Sequence, residues 1–203
     1  MSKLNEAHEN PFDIVCGQFS AAVSPLFYQS GWTPNMVTTL SVIASAMAVR
    51  SVYLGNQKVA FIVWAILSYL FDCVDGYMAR KYDMCTTFGD YYDHLSDWVY
   101  FLALFYVAFF VRGFKPSFQP FRMLFLAAIV LATVGMMVHM GLQEWVYQEE
   151  TGTYNQGPTL NYFARVAKGI CSLDPKDCIR SSRFLGTGTF IFVVIFIIAV
   201  FVK

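Results

Sequence analysis

Asp72, Asp75, Asp93 and Asp97 are spaced so that two consecutive helices would each carry a pair of carboxylates on one face. Asp72, Asp75 and Gly76 stand at i, i+3 and i+4, with Ala79 one turn later. Asp93 and Asp97 stand at i and i+4, with Gly89 one turn before them. The residues between, 81–88, are enough to reverse the chain, so the two helices can present four carboxylates across a cleft. Hard oxygen donors in that number suit Mg²⁺ or Mn²⁺, and Ca²⁺ in a flexible site. Two such ions can grip a diphosphate and offset charge on a leaving phosphate. Gly76 and Ala79 leave room for a flat base or ribose against the backbone. Arg80 adds a permanent guanidinium for phosphate oxygens. A solvated hairpin tip, with the acids pairing to Arg80 and Lys81, would need neither the register nor the glycines.

The elements that must position these residues are hydrophobic. Six of the fourteen acidic residues fall between Asp72 and Asp97, flanked by runs long enough to cross a bilayer. Ionisable groups at membrane depth are costly, which makes them functional candidates. Five stretches reach spanning length: about 35–54, 58–80, 89–112, 120–143 and 184–202. The connections at 55–57 and 113–119 carry Gly, Asn, Lys or Pro, as helical hairpins require. Residues 11–31 mix apolar and polar positions and read as an amphipathic helix at the membrane interface. Thr33-Pro34 is a helix-start signal. The interval 144–183 reads as one long polar loop in which 159–171 forms a helix on the membrane surface, its apolar face made of Tyr162, Phe163, Val166 and Ile170. The expected fold is therefore all-α: a polytopic transmembrane helical bundle of five to six spans behind an N-terminal interfacial helix. Residues 1–32 form a polar and juxtamembrane segment, and 33–203 the membrane domain.

Composition agrees. The chain is 57% hydrophobic and 18% aromatic, with no net formal charge. This gives no reason to expect nucleic acid as a partner and every reason to expect membrane lipids. The polar, acid-bearing N-terminus differs from a cleaved signal, so the first span is expected to act as its own signal. With five spans, eight Lys and Arg share the side of the acidic motif, Lys3, Arg80, Lys81, Arg165, Lys168, Lys176, Arg180 and Arg183, against six on the other. That balance places the motif on the cytoplasmic side. Five cysteines, odd in number and without a CxxC pair, read as reduced.

The pattern Asp72-x2-Asp75-Gly76-x2-Ala79-Arg80-x8-Gly89-x3-Asp93-x3-Asp97 matches, without a departure, the signature of the CDP-alcohol phosphatidyltransferase family, which this chain resembles over roughly 33–112. The resemblance implies a multi-pass membrane enzyme of phospholipid synthesis that displaces CMP from a CDP-linked substrate with an alcohol. It implies Asp72, Asp75, Asp93 and Asp97 as ligands of Mg²⁺ or Mn²⁺, two ions in all. Asp97 would also act as the base for the acceptor hydroxyl. Aspartate is a weak base at its reference pKa of about 4, so that role requires a metal-acidified alcohol or a buried setting. Gly76, Ala79, Arg80, Thr86 and Gly89 would line the CDP site. Pro34-Asn35-x2-Thr38 resembles the family's Pro-Asn-x-x-Thr element, which adds Asn35 and Thr38 to that lining. The family's members are typically homodimers with six transmembrane helices. Here five are evident, so 11–31 or 159–171 enters the bilayer or a sixth helix is missing.

Two readings of direction follow. In the first, CDP-diacylglycerol donates a phosphatidyl group to a small polar alcohol. In the second, CDP-choline or CDP-ethanolamine reacts with diacylglycerol. His94, directly after Asp93, resembles the choline/ethanolamine branch and is a second candidate for catalysis; the short chain favours the first. A cation-conducting protein is a distant third, since a conduction path would spread its acids through membrane depth. For the acceptor, Arg180 and Arg183 with Arg165 and Lys168 suggest an anion pocket, or else a positive loop facing lipid headgroups. His139, in the fourth span near Glu144, reads as an acceptor-site residue or an interhelical hydrogen bond.

Overall fold

The computed structural model describes residues 9–152 and 158–203. Residues 1–8, which include Lys3 of the charge balance, and 153–157, the centre of the expected polar loop, lie outside the described residues. The described chain is helical apart from turns and one isolated bridge between Phe114 and Val202. Its helices are α1 (Pro11–Gln29), α2 (Pro34–Leu54), α3 (Lys58–Lys81), α4 (Thr87–Phe105), α5 (Arg122–Thr151), α6 (Pro158–Ile170), α7 (Pro175–Ser182) and α8 (Thr187–Phe201). Five described segments are long and apolar enough to cross a membrane: Pro34–Leu54, Lys58–Lys81, Thr87–Arg112, Pro116–Glu150 and Pro175–Phe201. The polytopic helical architecture expected from the sequence is therefore present, and α1 is not one of those five.

The chain divides into two compact units. One comprises Cys16–Leu126 with Val194–Lys203 and contains the acidic motif. Its frame is the hairpin of α2 and α3. Thr33 caps α2 by accepting the Met36 N–H, and Pro34 occupies the first turn, where its missing N–H costs nothing. Gly55 ends the helix at φ 66°, a left-handed conformation that glycine adopts without steric penalty. The seam between the two helices has heptad spacing on both sides. Thr38, Ser41, Ser45, Ala48 and Val52 are buried on α2, and Phe61, Ala65, Ser68 and Asp75 on α3. Ser45 pairs with Ser68 and Thr38 with Asp75, so the antiparallel register sets Ala48 level with Ala65 and Val52 level with Phe61. Small side chains let the helices approach closely, as membrane interfaces favour. Along this line of contacts the seam runs from apolar, through hydroxyl, to carboxylate, with Val37, Val74 and Met78 buried as an apolar cluster beside the carboxylate end.

Thr86 caps α4, accepting the Gly89 N–H at 3.0 Å, and the chain reverses from α3 over only five residues. Asp83 takes φ 55° in that turn, which a short polar side chain tolerates. Beyond Phe105 the helix widens into a π-helical stretch, Tyr106–Arg112, ended by Gly113 at φ 70°. The end of α8 docks beside that turn. Lys115 N–H bonds the Phe201 carbonyl at 2.9 Å, Lys203 N–H bonds Gly113, and the Lys115 ammonium bonds the Val200 carbonyl. Carbonyls that α8 cannot satisfy internally are thereby paired.

The second unit comprises Met1–Val15 and Ala127–Val193. Here the interval 144–183 differs from the expected loop: α5 continues to Thr151, α6 follows at Pro158–Ile170, and α7 lies at Pro175–Ser182. The extension of α5 holds because its polar residues pair at helical spacing. Trp145 donates to Glu149 at 2.7 Å, and Gln148 donates to Glu144 at 3.0 Å and across to Asn161 on α6 at 2.7 Å. Asp174 caps α7 through the Lys176 N–H. The helix foreseen at 159–171 is present, and its apolar face divides. Ala164 and Ala167 are buried while Tyr162, Val166 and Ile170 are exposed. Leu142, Val146, Ala167 and Ile179 form the local core, with Cys171 and Cys178 against it. Those two cysteines form a disulfide, which corrects the expectation that all five are reduced. The turn between α6 and α7 sets their Cα atoms 6.4 Å apart, within bridging range.

Gly141 is where α6 meets α5 most closely: a Cβ there would run into the Phe163 carbonyl oxygen and lie 3.0 Å from the Ala167 Cβ. Backbone cannot yield as a side chain can. Gly141→Ala is expected to lower stability by about 1–3 kcal/mol through overpacking, read as a lower thermal midpoint in detergent. An unchanged midpoint would show that α6 does not pack on α5 at this point.

Candidate metal centre

Carboxylate oxygens of Asp72, Asp75 and Asp93 all lie within 4.8 Å of one another. Asp75 is 4% exposed, while Asp72 and Asp93 are half-buried. Two come from the last turns of α3 and one from the second turn of α4, so the hairpin that the sequence spacing demands is what assembles them. The donor set is three hard oxygens at one point, which fits Mg²⁺ or Mn²⁺ and not a softer metal. Asp97 lies one turn further along α4 and is not in this close group of three. Tyr100, buried at i+3 from Asp97, continues the same helix.

Thr38 does not point to a ligand. Its hydroxyl is buried, donates to Asp75 Oδ2 at 2.6 Å, and so fixes one oxygen of that carboxylate. A carboxylate held by a second hydrogen-bonded group keeps its orientation toward a cation. Asn35, one turn earlier on α2, sets its side-chain oxygen 3.0 Å from where a Cβ on Gly89 would stand. Glycine at 89 is thus what lets α2 approach the start of α4. Thr39 on the neighbouring face is 3.1 Å from the Tyr92 hydroxyl, a second tie between the same helices.

Gly76 makes room for its own helix: a Cβ there would meet the Arg80 guanidinium at 3.2 Å. Arg80 therefore folds back over Gly76, beside the carboxylates. The Ala79 carbonyl accepts the Met84 N–H at 2.8 Å and closes the turn after α3. Thr86 is engaged as the cap of α4. His94 Nδ1 lies 2.8 Å from the Asp90 carbonyl, which can only accept, so Nδ1 carries the proton and Nε2 is the basic nitrogen. Asp90 escaped the sequence reading. It is largely buried in the first turn of α4, 3.9 Å from His94 Nδ1, and its Oδ2 is buried with no hydrogen-bond partner among the described residues. Its position three residues before Asp93, on the same helix, was the available signal.

His139, Arg180 and Arg183 belong to the other unit. His139 is fully buried and its Nδ1 is 2.9 Å from Ser182 Oγ, the interhelical hydrogen bond that was one of the two readings. Arg183 donates to the Glu9 carbonyl at 2.8 Å and stacks on Phe184, while Arg180 is exposed on α7.

The sequence model of the CDP-alcohol phosphatidyltransferase family matches residues 31–202. The chain belongs to that family. A CDP-diacylglycerol–glycerol-3-phosphate 3-phosphatidyltransferase of Rickettsia felis is 30% identical over 67 residues, 32% of this chain and 36% of that protein. The matched part thus spans about a third of that relative's length. No solved structure matches the chain. The family assignment agrees with the signature at Asp72–Asp97 and with a multi-pass membrane protein.

Thr86 separates two roles by experiment. As a cap, Thr86→Ala should cost roughly 0.5–2 kcal/mol, and Thr86→Asp or Thr86→Ser should recover most of it. Thermal unfolding in detergent reads this directly. Full stability in Thr86→Ala would return Thr86 to a purely ligand-facing role.

Proposed function

We propose that this protein transfers a phosphatidyl group from CDP-diacylglycerol to a small polar alcohol, releasing CMP, with Asp72, Asp75, Asp93 and Asp97 holding Mg²⁺ or Mn²⁺. The observation that supports this most is the convergence of the Asp72, Asp75 and Asp93 carboxylates within 4.8 Å at the end of a membrane hairpin. Divalent ions held there would neutralise the diphosphate and the departing phosphate. Arg80, beside Gly76, is placed to take diphosphate oxygens once a nucleotide displaces it. Gly76, Ala79, Gly89, Asn35 and Thr86 line the approach, and Thr38 serves by orienting Asp75. The acceptor oxygen attacks the phosphorus that carries diacylglycerol, the bond to CMP breaks, and the hydroxyl proton passes to Asp97. A lipid donor explains the location, since acyl chains stay in hydrocarbon while the CDP head reaches the acids.

In this reading the motif faces the cytoplasm, α1 lies at the interface, residues 33–203 form the membrane domain, and two copies pair. The Rickettsia protein's name makes glycerol 3-phosphate the first acceptor to try. Arg180 and Arg183 would then contribute to binding a phosphorylated alcohol. The choline/ethanolamine reading keeps one observation in its favour: His94, directly after Asp93, has its Nδ1 on the Asp90 carbonyl, which assigns the proton-accepting role to Nε2.

CMP release from CDP-diacylglycerol with a panel of alcohols, and from CDP-choline or CDP-ethanolamine with diacylglycerol, decides the direction. Chelator should abolish it and Mg²⁺ or Mn²⁺ restore it. Asp72→Asn, Asp75→Asn and Asp93→Asn should lose both metal affinity and turnover, because a neutral carbonyl oxygen replaces a charged ligand poorly. Asp97→Asn should retain CDP-substrate binding while transfer falls by roughly 10²–10⁴-fold, the usual worth of a general base. An active Asp97→Asn beside an inactive His94→Ala would transfer the base to His94 and favour the second direction.

A further inference from the structure

The hydroxyls buried between α2 and α3 lie outside the acidic signature, yet they share its register. Ser45 Oγ lies 2.6 Å from Ser68 Oγ. Ser41 Oγ donates to the Ser68 carbonyl at 3.0 Å and lies 3.3 Å from Ser68 Oγ. All three serines are buried. Thr38 and Ser45 are seven residues apart on α2, and Ser68 and Asp75 are seven apart on α3. One antiparallel register therefore satisfies both pairs together: Ser45 with Ser68, and Thr38 with Asp75. The same register sets Ser41 level with Asp72, and the Ser68 carbonyl that Ser41 engages is one turn before Asp72.

Around the serines the buried neighbours are Ala44, Ala48 and Ala65, small side chains that interlock weakly against axial sliding, while Val37, Val74 and Met78 pack as an apolar cluster beside the Thr38–Asp75 pair. The hydroxyl pairs add directional contacts to that packing. A slip of one residue shifts one helix about 1.5 Å along the other and changes which side chains face the seam by about 100° of rotation, which takes Thr38 out of line with Asp75. In hydrocarbon the freed hydroxyls would find no water, so the hydrogen-bonded register is favoured over its neighbours.

We propose that Ser41, Ser45 and Ser68 are positioning residues for the acidic centre: they lock α2 against α3 so that the Thr38 hydroxyl meets Asp75 and holds its carboxylate toward Asp72 and Asp93. The serines touch neither substrate nor cation; they act through Thr38. This inference rests on the metal-centre reading above.

The test is a double-mutant cycle on purified protein in detergent, with Mn²⁺ binding as the readout and CMP release at saturating Mn²⁺ beside it. Ser68→Ala removes the Ser45–Ser68 hydroxyl pair and the 3.3 Å approach of Ser41 to the Ser68 hydroxyl, and leaves the Ser41 bond to the Ser68 carbonyl. It should weaken Mn²⁺ binding about three- to fifteen-fold, the range for a buried interhelical hydrogen bond in a membrane protein, while turnover at saturating Mn²⁺ stays close to wild type. Thr38→Val should weaken it similarly, and Thr38→Ser should not. Because both act through one contact, Ser68→Ala should add little in the Thr38→Val background. Additive losses, or a lower thermal midpoint with unchanged Mn²⁺ affinity, would overturn the proposal and leave a merely structural role. Should Ser68→Ala fail to fold, Ser45→Ala carries the same cycle with one contact removed. Asp75→Asn is the control: if it abolishes Mn²⁺ binding while Ser68→Ala leaves it intact, the positioning role fails and the metal centre stands. If wild-type protein binds no Mn²⁺, both fail.

Discussion

Gathering three carboxylates within 4.8 Å at the end of a membrane hairpin is unfavourable on every count except cation binding. Like charges repel, burial removes water, and a low-dielectric surrounding magnifies both effects. The hairpin must therefore be held by interactions that do not depend on those acids. The α2–α3 seam supplies them, with Val52, Ala48, Phe61 and Ala65 at the apolar end and hydroxyl pairs towards the acids. Only at its last step, Thr38 to Asp75, does the seam touch the carboxylates.

α2 has a second duty, because it also fixes α4. Asn35 lies against the Gly89 position and Thr39 against Tyr92, so one helix sets the placement of both carboxylate-bearing helices. This explains why residues that resemble a ligand-binding element, Asn35 and Thr38, are occupied with neighbours of the same chain. Because one helix braces both acid-bearing helices, deleting it would disturb the placement of all three clustered carboxylates together. Single hydroxyls and amides can still be resolved one from another.

The second unit is built on different means. Its polar groups are internal ties: His139 to Ser182, Asn10 to Thr189 and the Arg183 carbonyl, Asp13 to the Gly188 N–H at the start of α8. Arg183 itself is spent on the Glu9 carbonyl. The disulfide between Cys171 and Cys178 adds a covalent tie between the end of α6 and α7. Polar residues in an apolar chain are thus used here to satisfy backbone and to join helices, and charge count alone does not distinguish that use from ligand binding.

The sequence alone determined the helical class, the five spans, and the pairing of Asp72 and Asp75 with Asp93. These follow from period and length: apolar runs near 20 residues dictate helices, and i, i+3, i+4 spacing dictates a shared face. It could not decide what depends on distant partners. That Thr38 serves Asp75 and that Ser41, Ser45 and Ser68 meet across the hairpin are settled by the register of two helices, which no single-helix pattern contains. The polar stretch after Glu144 looked like loop because hydropathy measures solvent preference. It is helix because Trp145, Gln148, Glu149 and Asn161 satisfy one another in three dimensions. Cys171 and Cys178 likewise showed no pairing motif; a turn of the chain brought them together.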